Sequence, residues 1–294
     1  MRIGVLDQSP VHDGGTTVTA LACSTELAQT CEAWGYHRYW VAEHHDLTGF
    51  AGTCPEILIA HIAELTREIR VGSGGVMLSH YSPFKVAEQF RLLEALYPGR
   101  IDLGIGRAPG GDARAIAALA FPHEPPSHDL YAHQAQDLCR FLHETMPADH
   151  VYAELRAMPA PAGVPQVWQL GSGGGSAEFA GSLGMGFALA LFIGNYQGPP
   201  DIVAHYRRAF RPSPSRPLPA TALAVACVCA NSREEARLIA MTQAYWRLNA
   251  FRYGRTAPLL PPETCLARVQ DMSSADRAFF NDTLDKVVFG TPAQ

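Results

Sequence analysis

Residues 69–111 read IRVGSGGVMLSHYSPFKVAEQFRLLEALYPGRIDLGIGRAPGG, a strand, a helix and a second strand in direct succession. The apolar run 69–78 predicts the first strand, and residues 101–105 predict the second. Between them, residues 83–96 carry apolar side chains at helical spacing, after a proline suited to a first turn. Two consecutive strands joined by a helix require parallel pairing with a right-handed crossover. This segment therefore predicts an α/β fold built on a parallel sheet.

The same alternation continues on both sides of this segment. Short apolar runs predict strands, and longer runs with apolar residues three and four apart predict helices. The other predicted strands are 2–6, 39–42, 167–170, 187–193 and 223–229. The other predicted helices are 20–34, 55–65, 129–142, 176–183, 200–210 and one that opens after Ser232. Strands that are apolar throughout are typical of parallel sheets covered on both faces.

Two architectures accommodate a strictly alternating chain: a TIM barrel and an open doubly wound sheet. No Gly-x-Gly-x-x-Gly sequence opens the first helix, which argues against a dinucleotide-binding open sheet. Glycine and polar residues instead follow several different strands, the position at which a TIM barrel builds its site. We therefore predict a single domain over residues 1–294, a TIM (β/α)8-type barrel.

The last βα unit of this barrel is expected to be missing or truncated. Seven strands are predicted up to residue 229, and only residues 286–289 offer a short eighth one. A barrel that lacks one strand leaves backbone groups unpaired at two edges. We expect the segment from residue 261 onward to fold back over this gap, or a second subunit to cover it.

Composition and charge exclude several functional classes. The 294 residues are 47% hydrophobic and 17% charged, which is enough apolar material for a folded core. The formal net charge of −5 argues against nucleic acid as a partner. Every apolar run is shorter than the roughly 20 residues that cross a bilayer, and the first residues lack a signal peptide's apolar stretch. These features predict a cytoplasmic protein without membrane contact.

The cysteine pattern predicts neither disulfides nor a zinc site. The chain has seven cysteines and no Cys-x-x-Cys pair, so the spacing that zinc ligands usually show is missing. We therefore expect reduced, mostly buried thiols.

Two adjacent histidines follow the predicted strand 39–42, in the sequence Glu43-His-His-Asp46. If the strand continued, their side chains would point to opposite sides, and at most one would face the mouth of the barrel. A histidine in that position is a candidate catalytic group. A metal site formed by Glu43, His44 and Asp46 is the alternative, but no distal set of ligands supports it.

A glycine-rich stretch, residues 72–77, ends the next predicted strand with the sequence Gly-Ser-Gly-Gly-Val-Met. Glycine at a strand end permits unusual peptide geometry and the close approach of a flat ligand to the backbone. A plain tight turn is the alternative interpretation of this stretch.

Two further stretches predict a site for a phosphate group. Arg107 lies among glycines at the end of strand 101–105, where its guanidinium offers a planar fork of donors. Residues 171–176, Gly-Ser-Gly-Gly-Gly-Ser, directly precede a helix, where free N–H groups and the helix dipole favour an anion. Together they predict one phosphate between the ends of the fourth and fifth strands. A solvent-exposed arginine in a loop is the alternative for Arg107.

Taken in order, these stretches resemble the bacterial luciferase-like, flavin-dependent monooxygenase family. Residues 5–10, 40–45, 71–78 and 99–107 are similar to the first four strands of that family, and residues 167–176 to its phosphate loop. The first strand particularly resembles a subgroup that includes natural-product-tailoring members. The resemblance covers nearly the whole chain and implies a TIM barrel that uses reduced FMN and O₂.

The resemblance also implies individual roles. His44 would be the catalytic histidine that supports oxygen chemistry at the flavin. Gly74 and Gly75 would form a non-prolyl cis peptide under the isoalloxazine ring. The residues implied to bind the FMN phosphate are Arg107, Ser172, Gly173 and Gly174. Members of the family often have an acidic residue where this chain has Ser172, and they continue past residues 290–292 with a further helix, strand and helix.

The predicted function is an FMN- and O₂-dependent monooxygenase acting on a small apolar or aromatic organic substrate, with natural-product tailoring as one setting. A separate reductase would supply reduced FMN, since no NAD(P)H fingerprint is visible, and a homodimer is the expected quaternary state. The aromatic residues expected to line the mouth are Phe50, Tyr81, Phe192 and Tyr196.

Three alternatives stay open from the sequence. One is a dehydrogenase of the same superfamily that uses the deazaflavin F420 and transfers hydride without O₂. Another is a flavin-binding protein without catalytic activity. The third is a phosphate-sugar isomerase on the same barrel, against which the lack of an obvious catalytic lysine or paired carboxylates after the later strands counts.

Overall fold

The computed structural model describes residues 1–124, 130–160, 162–193 and 198–293 of the chain. The strands are β1 (Gly4–Asp7), β2 (Arg38–Val41), β3 (Arg70–Met77), β4 (Ile101–Gly106), β5 (Gln166–Gly171), β6 (Gly186–Ala190), β7 (Thr221–Ala224), β8 (Cys227–Cys229) and β9 (Val288–Gly290). The helices are α1 (Thr17–Ala33), α2 (Pro55–Glu64), α3 (Pro83–Leu96), α4 (Ala113–Ala120), α5 (Tyr131–His143), α6 (Gly174–Ser182), α7 (Pro199–Ala209), α8 (Arg233–Tyr253), α9 (Pro262–Gln270) and α10 (Ser274–Leu284).

The first seven strands form one parallel sheet in sequence order, β1 to β7. Leu6 of β1 and Ala222 of β7 both pack against the cluster that contains Trp40 and Trp168 of the middle strands. The two ends of the sheet therefore curl toward each other into a nearly closed barrel. The predicted TIM-type barrel with alternating helices is confirmed.

The eighth position of the barrel is only partly filled. In the described residues no strand pairs with the outer edge of β1 or of β7. β9 instead pairs in parallel with β8, which follows β7 after two residues, and places Val288 opposite Cys227. Leu259 links to the loop after β1 through hydrogen bonds of 2.8 Å with Val11 and Asp13. In the described residues the barrel sheet therefore has seven strands, and the segment that contains Leu259 and β9 folds back at the barrel rim.

The largest part of the apolar core lies outside the barrel, between the sheet and helices α1, α2, α3 and α5. The barrel interior holds a much smaller cluster around Trp40 and Trp168, whose rings meet edge to face at 5.5 Å. Glycine makes room for these rings. A Cβ at Gly186 would lie 2.4 Å from the Trp168 ring, well inside van der Waals contact.

Ion pairs bind β2, β3 and β4 together at the N-terminal end of the barrel. The carboxylate of Asp102 is fully buried and lies 3.2 Å from the guanidinium of Arg38 and 2.7 Å from that of Arg70. It also accepts a 2.9 Å hydrogen bond from the indole N–H of Trp40. A buried carboxylate with all its partners present stabilises a single arrangement of these strands. The residues predicted to form the functional site lie at the opposite, C-terminal end of the barrel.

Several element boundaries differ from the prediction. The predicted strand 187–193 ends at Ala190, and the predicted strand 223–229 is divided into β7 and β8. Helix α4 was not predicted. It is a short alanine-rich helix whose N-cap, Asp112, accepts hydrogen bonds from the N–H groups of Arg114 and Ala115. Helix α1 begins three residues earlier than predicted because Thr16 and Thr19 form a reciprocal cap. The start of the predicted helix 129–142, Asp129, lies outside the described residues.

All seven cysteines are free, as predicted, but the expectation that most are buried is wrong. Cys23, Cys54, Cys227 and Cys229 are exposed. The last two lie on one face of β8, while Val228 between them packs toward α8. Among the helices described, none is long and apolar enough to cross a membrane.

Candidate functional site

The loops after β2, β3 and β4 meet at the C-terminal end of the barrel, and the carboxylate of Glu43 joins the first two. Its side chain is completely buried. Oε1 lies 2.7 Å from both Nε2 of His45 and the hydroxyl of Tyr81, and Oε2 accepts a 2.9 Å hydrogen bond from the N–H of Met77. Burial and the nearby Glu43 charge raise the pKa of Tyr81, so its hydroxyl stays a donor to the carboxylate. Glu43 therefore holds the loop after β2 against the end of β3 and the loop that follows it.

His44 has one ring nitrogen without a partner. Its Nδ1 is buried and has no hydrogen bond among the described residues. The ring stacks on Phe50, with centroids 4.3 Å apart and planes inclined by 20°. Burial, with a smaller contribution from His45, lowers the pKa of His44 from 6.5 to about 4. The imidazole is therefore neutral at ordinary pH and can accept or share a proton.

The two histidines lie beyond β2, which ends at Val41, so the alternation expected of a continuing strand does not apply to them. His45 turns toward Glu43, and its N–H donates to the carbonyl of Gly110 in the loop after β4. The N–H of His44 donates to the carbonyl of Gly52. The alternation argument applied only if the strand continued through both histidines, and β2 ends before them, so burial, which is intermediate for both, does not distinguish them. Their different partners distinguish them instead: His45 is satisfied, while His44 keeps a free ring nitrogen.

The peptide bond between Gly74 and Gly75 is cis, as the resemblance implied. The pairing of β3 with β4 is irregular at this point, where the register shifts between Gly74 and Val76. A Cβ at Gly75 would lie 2.7 Å from the carbonyl oxygen of Gly104, and one at Gly74 would lie 2.5 Å from Leu6. A side chain is thus excluded at Gly75, where the clash is with backbone, whereas at Gly74 it would require the Leu6 side chain to move. The role of this pair in binding a cofactor stays a prediction.

Arg107 directly follows β4 and is exposed. Its charge is close enough to Tyr131, the first residue of α5, to oppose the rise in the tyrosine's pKa that burial causes. The hydroxyl of Tyr131 donates a 2.8 Å hydrogen bond to the side chain of Gln169 on β5. Since β4 and β5 are neighbours, Arg107 and the loop after β5 emerge from adjacent strand ends.

Helix α6 begins in the glycine-rich loop after β5. Its N-cap is Gly173, and no side chain makes a capping hydrogen bond with the first N–H groups of the helix. Ser172 is exposed, and Gly174 is the first residue of the helix. Such a terminus suits an anion because free N–H groups and the helix dipole act together.

The predicted aromatic lining has a mixed outcome. Phe50 is 7% exposed and stacks on His44, and Tyr81 is bound to Glu43. Phe192 is half-buried, and its carbonyl oxygen accepts a hydrogen bond from Arg247 of α8. Tyr196 lies outside the described residues.

The sequence did not predict two features of the site. One is that Glu43 is buried and hydrogen-bonded to His45, Tyr81 and Met77, and the other is that Trp246 packs against Phe50. An acidic residue at the end of an apolar strand is the signal that pointed to Glu43. Trp246 had no comparable signal, because it lies about 200 residues away on a helix with no motif. In the described residues, no group of three or more His, Cys, Asp or Glu side chains is placed to hold a metal ion.

Comparison with known proteins gives concordant results. A family model described as luciferase-like monooxygenase matches residues 1–293. The uncharacterized protein YceB of Bacillus subtilis is 42% identical over 292 residues, which cover 99% of this chain and 87% of the relative. The N-acetyl-S-alkylcysteine monooxygenase of the same organism is 44% identical over 210 residues, 71% of this chain and 62% of the relative. The crystal structure of apo-MsnO8 superposes with a TM-score of 0.87 at 39% identity, covering 99% of this chain and 86% of that one.

Proposed function

Since the chain belongs to the luciferase-like monooxygenase family, we propose that it uses FMN and O₂ to oxidise a small apolar or aromatic organic substrate. The observation that carries the proposal is the buried Nδ1 of His44, which has no hydrogen-bond partner among the described residues at the C-terminal end of the barrel. A buried polar atom without a partner is costly unless a ligand or water satisfies it.

The residues present fit a flavin nucleotide at both of its ends. The cis peptide of Gly74 and Gly75 carries no Cβ, and Gly74 is partly exposed, so its backbone offers a place where a flat ring system can lie. Arg107 and the uncapped start of α6 offer charge and free N–H groups to a phosphate. The expected binding residues are therefore Gly74, Gly75, Arg107, Ser172, Gly173 and Gly174.

Reduced FMN, when bound, supplies two electrons to O₂, so that one oxygen atom enters the substrate and the other leaves as water. The protein's own contribution is to hold the phosphate and to handle the proton at His44. A neutral imidazole can take a proton from a reacting group and return it. Glu43 keeps the loops after β2 and β3 in register around that histidine.

The partners follow from this chemistry. We infer that a separate flavin reductase delivers reduced FMN, because the sequence carries no Gly-x-Gly-x-x-Gly fingerprint for a nicotinamide cofactor. A homodimer in the cytoplasm is the expected form of the enzyme. The relative that oxidises N-acetyl-S-alkylcysteines makes small thioethers reasonable first substrates.

The decisive experiment measures O₂ consumption and product mass with reduced FMN supplied by an added flavin reductase. Small thioethers and aromatic compounds would serve as substrates. We expect substrate-dependent O₂ uptake with a mass gain of one oxygen atom, and a loss of about 10²- to 10⁴-fold in turnover for His44→Ala. Flavin binding without any substrate-dependent product would instead support a non-catalytic flavin-binding protein.

The F420 alternative is tested with the same preparation. A dehydrogenase would reduce F420 in the presence of an alcohol and would need no O₂. Binding of F420 in preference to FMN, with hydride transfer under anaerobic conditions, would overturn the proposal.

A further inference from the structure

Three aromatic rings stand in a column beside the barrel mouth. His44 stacks on Phe50 at 4.3 Å, and Phe50 meets Trp246 edge to face at 4.9 Å with planes inclined by 61°. The three residues come from the loop after β2 and from α8, which are separated by about 200 residues in the chain. A stacked pair and an edge-to-face pair both restrict the tilt of the ring between them.

The outer end of the column is anchored by hydrogen bonds. The indole N–H of Trp246 donates to the carbonyl of Ala257 at 2.8 Å, and the hydroxyl of Thr48 donates to the carbonyl of Thr256 at 2.9 Å. The two segments are so close that a Cβ at Gly49 would lie 2.7 Å from the Ala257 oxygen and 3.1 Å from the Trp246 indole nitrogen. The loop that carries Phe50 is therefore pressed against α8 and the chain that follows it.

We propose that Phe50 is the positioning residue of the active site, setting the plane of the His44 imidazole, and that Trp246 holds Phe50 in place from α8. The assignment rests on the proposed function in one respect, since it takes His44 as the group that handles the proton. The column itself is a property of the described side chains and does not depend on a bound flavin.

The charged side chains near His44 are bound to other partners, so the packing around its ring is the main influence on its pKa. The carboxylate of Glu43 is already bonded to His45, Tyr81 and the Met77 N–H. Asp46 is exposed and lies 3.7 Å from Arg114. Arg247, which follows Trp246 on α8, directs its guanidinium to the carbonyl oxygens of Phe192 and Ile193. Burial is accordingly the largest cause of the lowered pKa of His44, and His45 the second.

The experiment is an NMR titration of histidine side chains in the flavin-free protein, compared between wild type and Phe50→Leu. Removing the stacked ring admits water beside His44, so we expect its pKa to rise by about one to two pH units toward the ordinary value. The same variant should retain FMN affinity within about threefold and lose about 10-fold or more in turnover, since a misplaced group slows the reaction. Phe50→Tyr, which keeps the ring, should restore both the titration and the turnover.

A matched control separates positioning from general destabilisation. Phe84→Leu removes a ring that packs edge to face on Phe141 at 5.1 Å in the core outside the barrel. It should lower stability and leave the His44 titration unchanged. If Phe50→Leu does not fold, Trp246→Leu makes the same test from the other end of the column and should also raise the His44 pKa.

The proposal is overturned if the His44 titration is the same in wild type, Phe50→Leu and Trp246→Leu, or if Phe84→Leu shifts it equally. A protein that shows the titration shift but never oxidises a substrate would contradict the proposed function and leave the aromatic column intact. The two failures are thus distinguishable.

Discussion

His44 couples the candidate site to the stability of the fold. Its pKa is lowered from 6.5 to about 4 in the native state, chiefly by burial, so the unfolded chain binds a proton at this position before the folded protein does. The contribution of neutral His44 to the free energy of unfolding is therefore fully present above pH 6.5 and is lost as the pH falls toward 4. This lowering corresponds to about 3 kcal/mol, as an upper value for a half-buried group.

We expect the free energy of unfolding of His44→Gln to depend less on pH, in the acidic range, than that of wild type. The free energy of unfolding of wild type should fall more between pH 7 and pH 4 than that of the variant, by up to about 3 kcal/mol. Denaturant titrations at several pH values measure this difference. The exposed His123 provides the control, because His123→Gln should keep the wild-type dependence. Parallel curves for His44→Gln and wild type would show that His44 titrates normally.

Arg107 is expected to decide the affinity for the phosphate group. A charge-assisted contact contributes roughly 1.5–3 kcal/mol, so Arg107→Ala should weaken FMN binding by about 10- to 100-fold. Riboflavin, which lacks the phosphate, should bind both proteins alike in a fluorescence titration. Arg114, an exposed arginine close by that pairs with Asp112, supplies the control, and Arg114→Ala should bind FMN normally. Equal FMN affinity in wild type and Arg107→Ala would remove Arg107 from the phosphate site.

At the same scale, the sequence drew attention to residues at the C-terminal ends of strands. His44 and Arg107 were predicted because each follows an apolar run, and the Gly74–Gly75 pair because it lies near the end of one; the cis peptide is present where the resemblance implied it. Phe50 was assigned to the mouth from its position alone, without its partners. The contact with Trp246 depends on how α8 packs back onto the loop after β2, and no local pattern encodes that docking.

Among the elements, β4 shows most clearly how backbone proximity dictates residue type. A Cβ at Gly104 would lie 2.2 Å from the carbonyl oxygen of Ser73 and 2.8 Å from Leu170. The Ser73 hydroxyl also donates to the Gly104 carbonyl at 2.8 Å and accepts from its N–H at 3.0 Å, so β3 cannot move aside without losing these bonds. At Gly106, two residues along the same strand, a Cβ would meet only Met77, at 3.9 Å.

We therefore expect Gly104→Ala and Gly106→Ala to differ sharply in stability. The first should cost about 3 kcal/mol or more, because the clash is with backbone that is held by hydrogen bonds. The second should change the free energy of unfolding by less than about 1 kcal/mol. Denaturant unfolding of the two purified variants measures both values. Similar stabilities would mean that β3 and β4 can separate locally without cost.

Element positions were largely predictable because the helices and strands alternate with clear periodicity, and α3 was placed within its observed bounds. The differences arise where tertiary contacts override local pattern. Beyond Ala190 the chain remains apolar, yet it leaves the sheet, and the carbonyl groups of Phe192 and Ile193 bind Arg247. Over residues 223–229 the side chains alternate in burial as in a single strand. The backbone, however, pairs first with β6 and then with β9.

In the whole molecule, the incompletely filled eighth position leaves an apolar strip in solvent. Side chains alternate between inside and outside from residue 223 to residue 229, and the outward ones are exposed. Leu223 is 57% exposed, Val225 51% and Val288 of the adjoining β9 60%. Next to this strip, the outer edge of β7 has no ladder partner among the described residues. An apolar strip beside an open edge is a common site of association between chains.

We expect the chain to self-associate through this strip, with a concentration-dependent mass in size-exclusion chromatography coupled to light scattering. Replacing Leu223 and Val225 together by lysine should shift the equilibrium toward the monomer, because charges on a free strand edge oppose edge-to-edge pairing. The double variant should keep the stability of wild type, since both side chains already face solvent. A reducing buffer excludes cross-links through the exposed Cys227 and Cys229. If wild type remains a monomer at every concentration, or if the double variant associates as strongly, the strip does not mediate contact between chains.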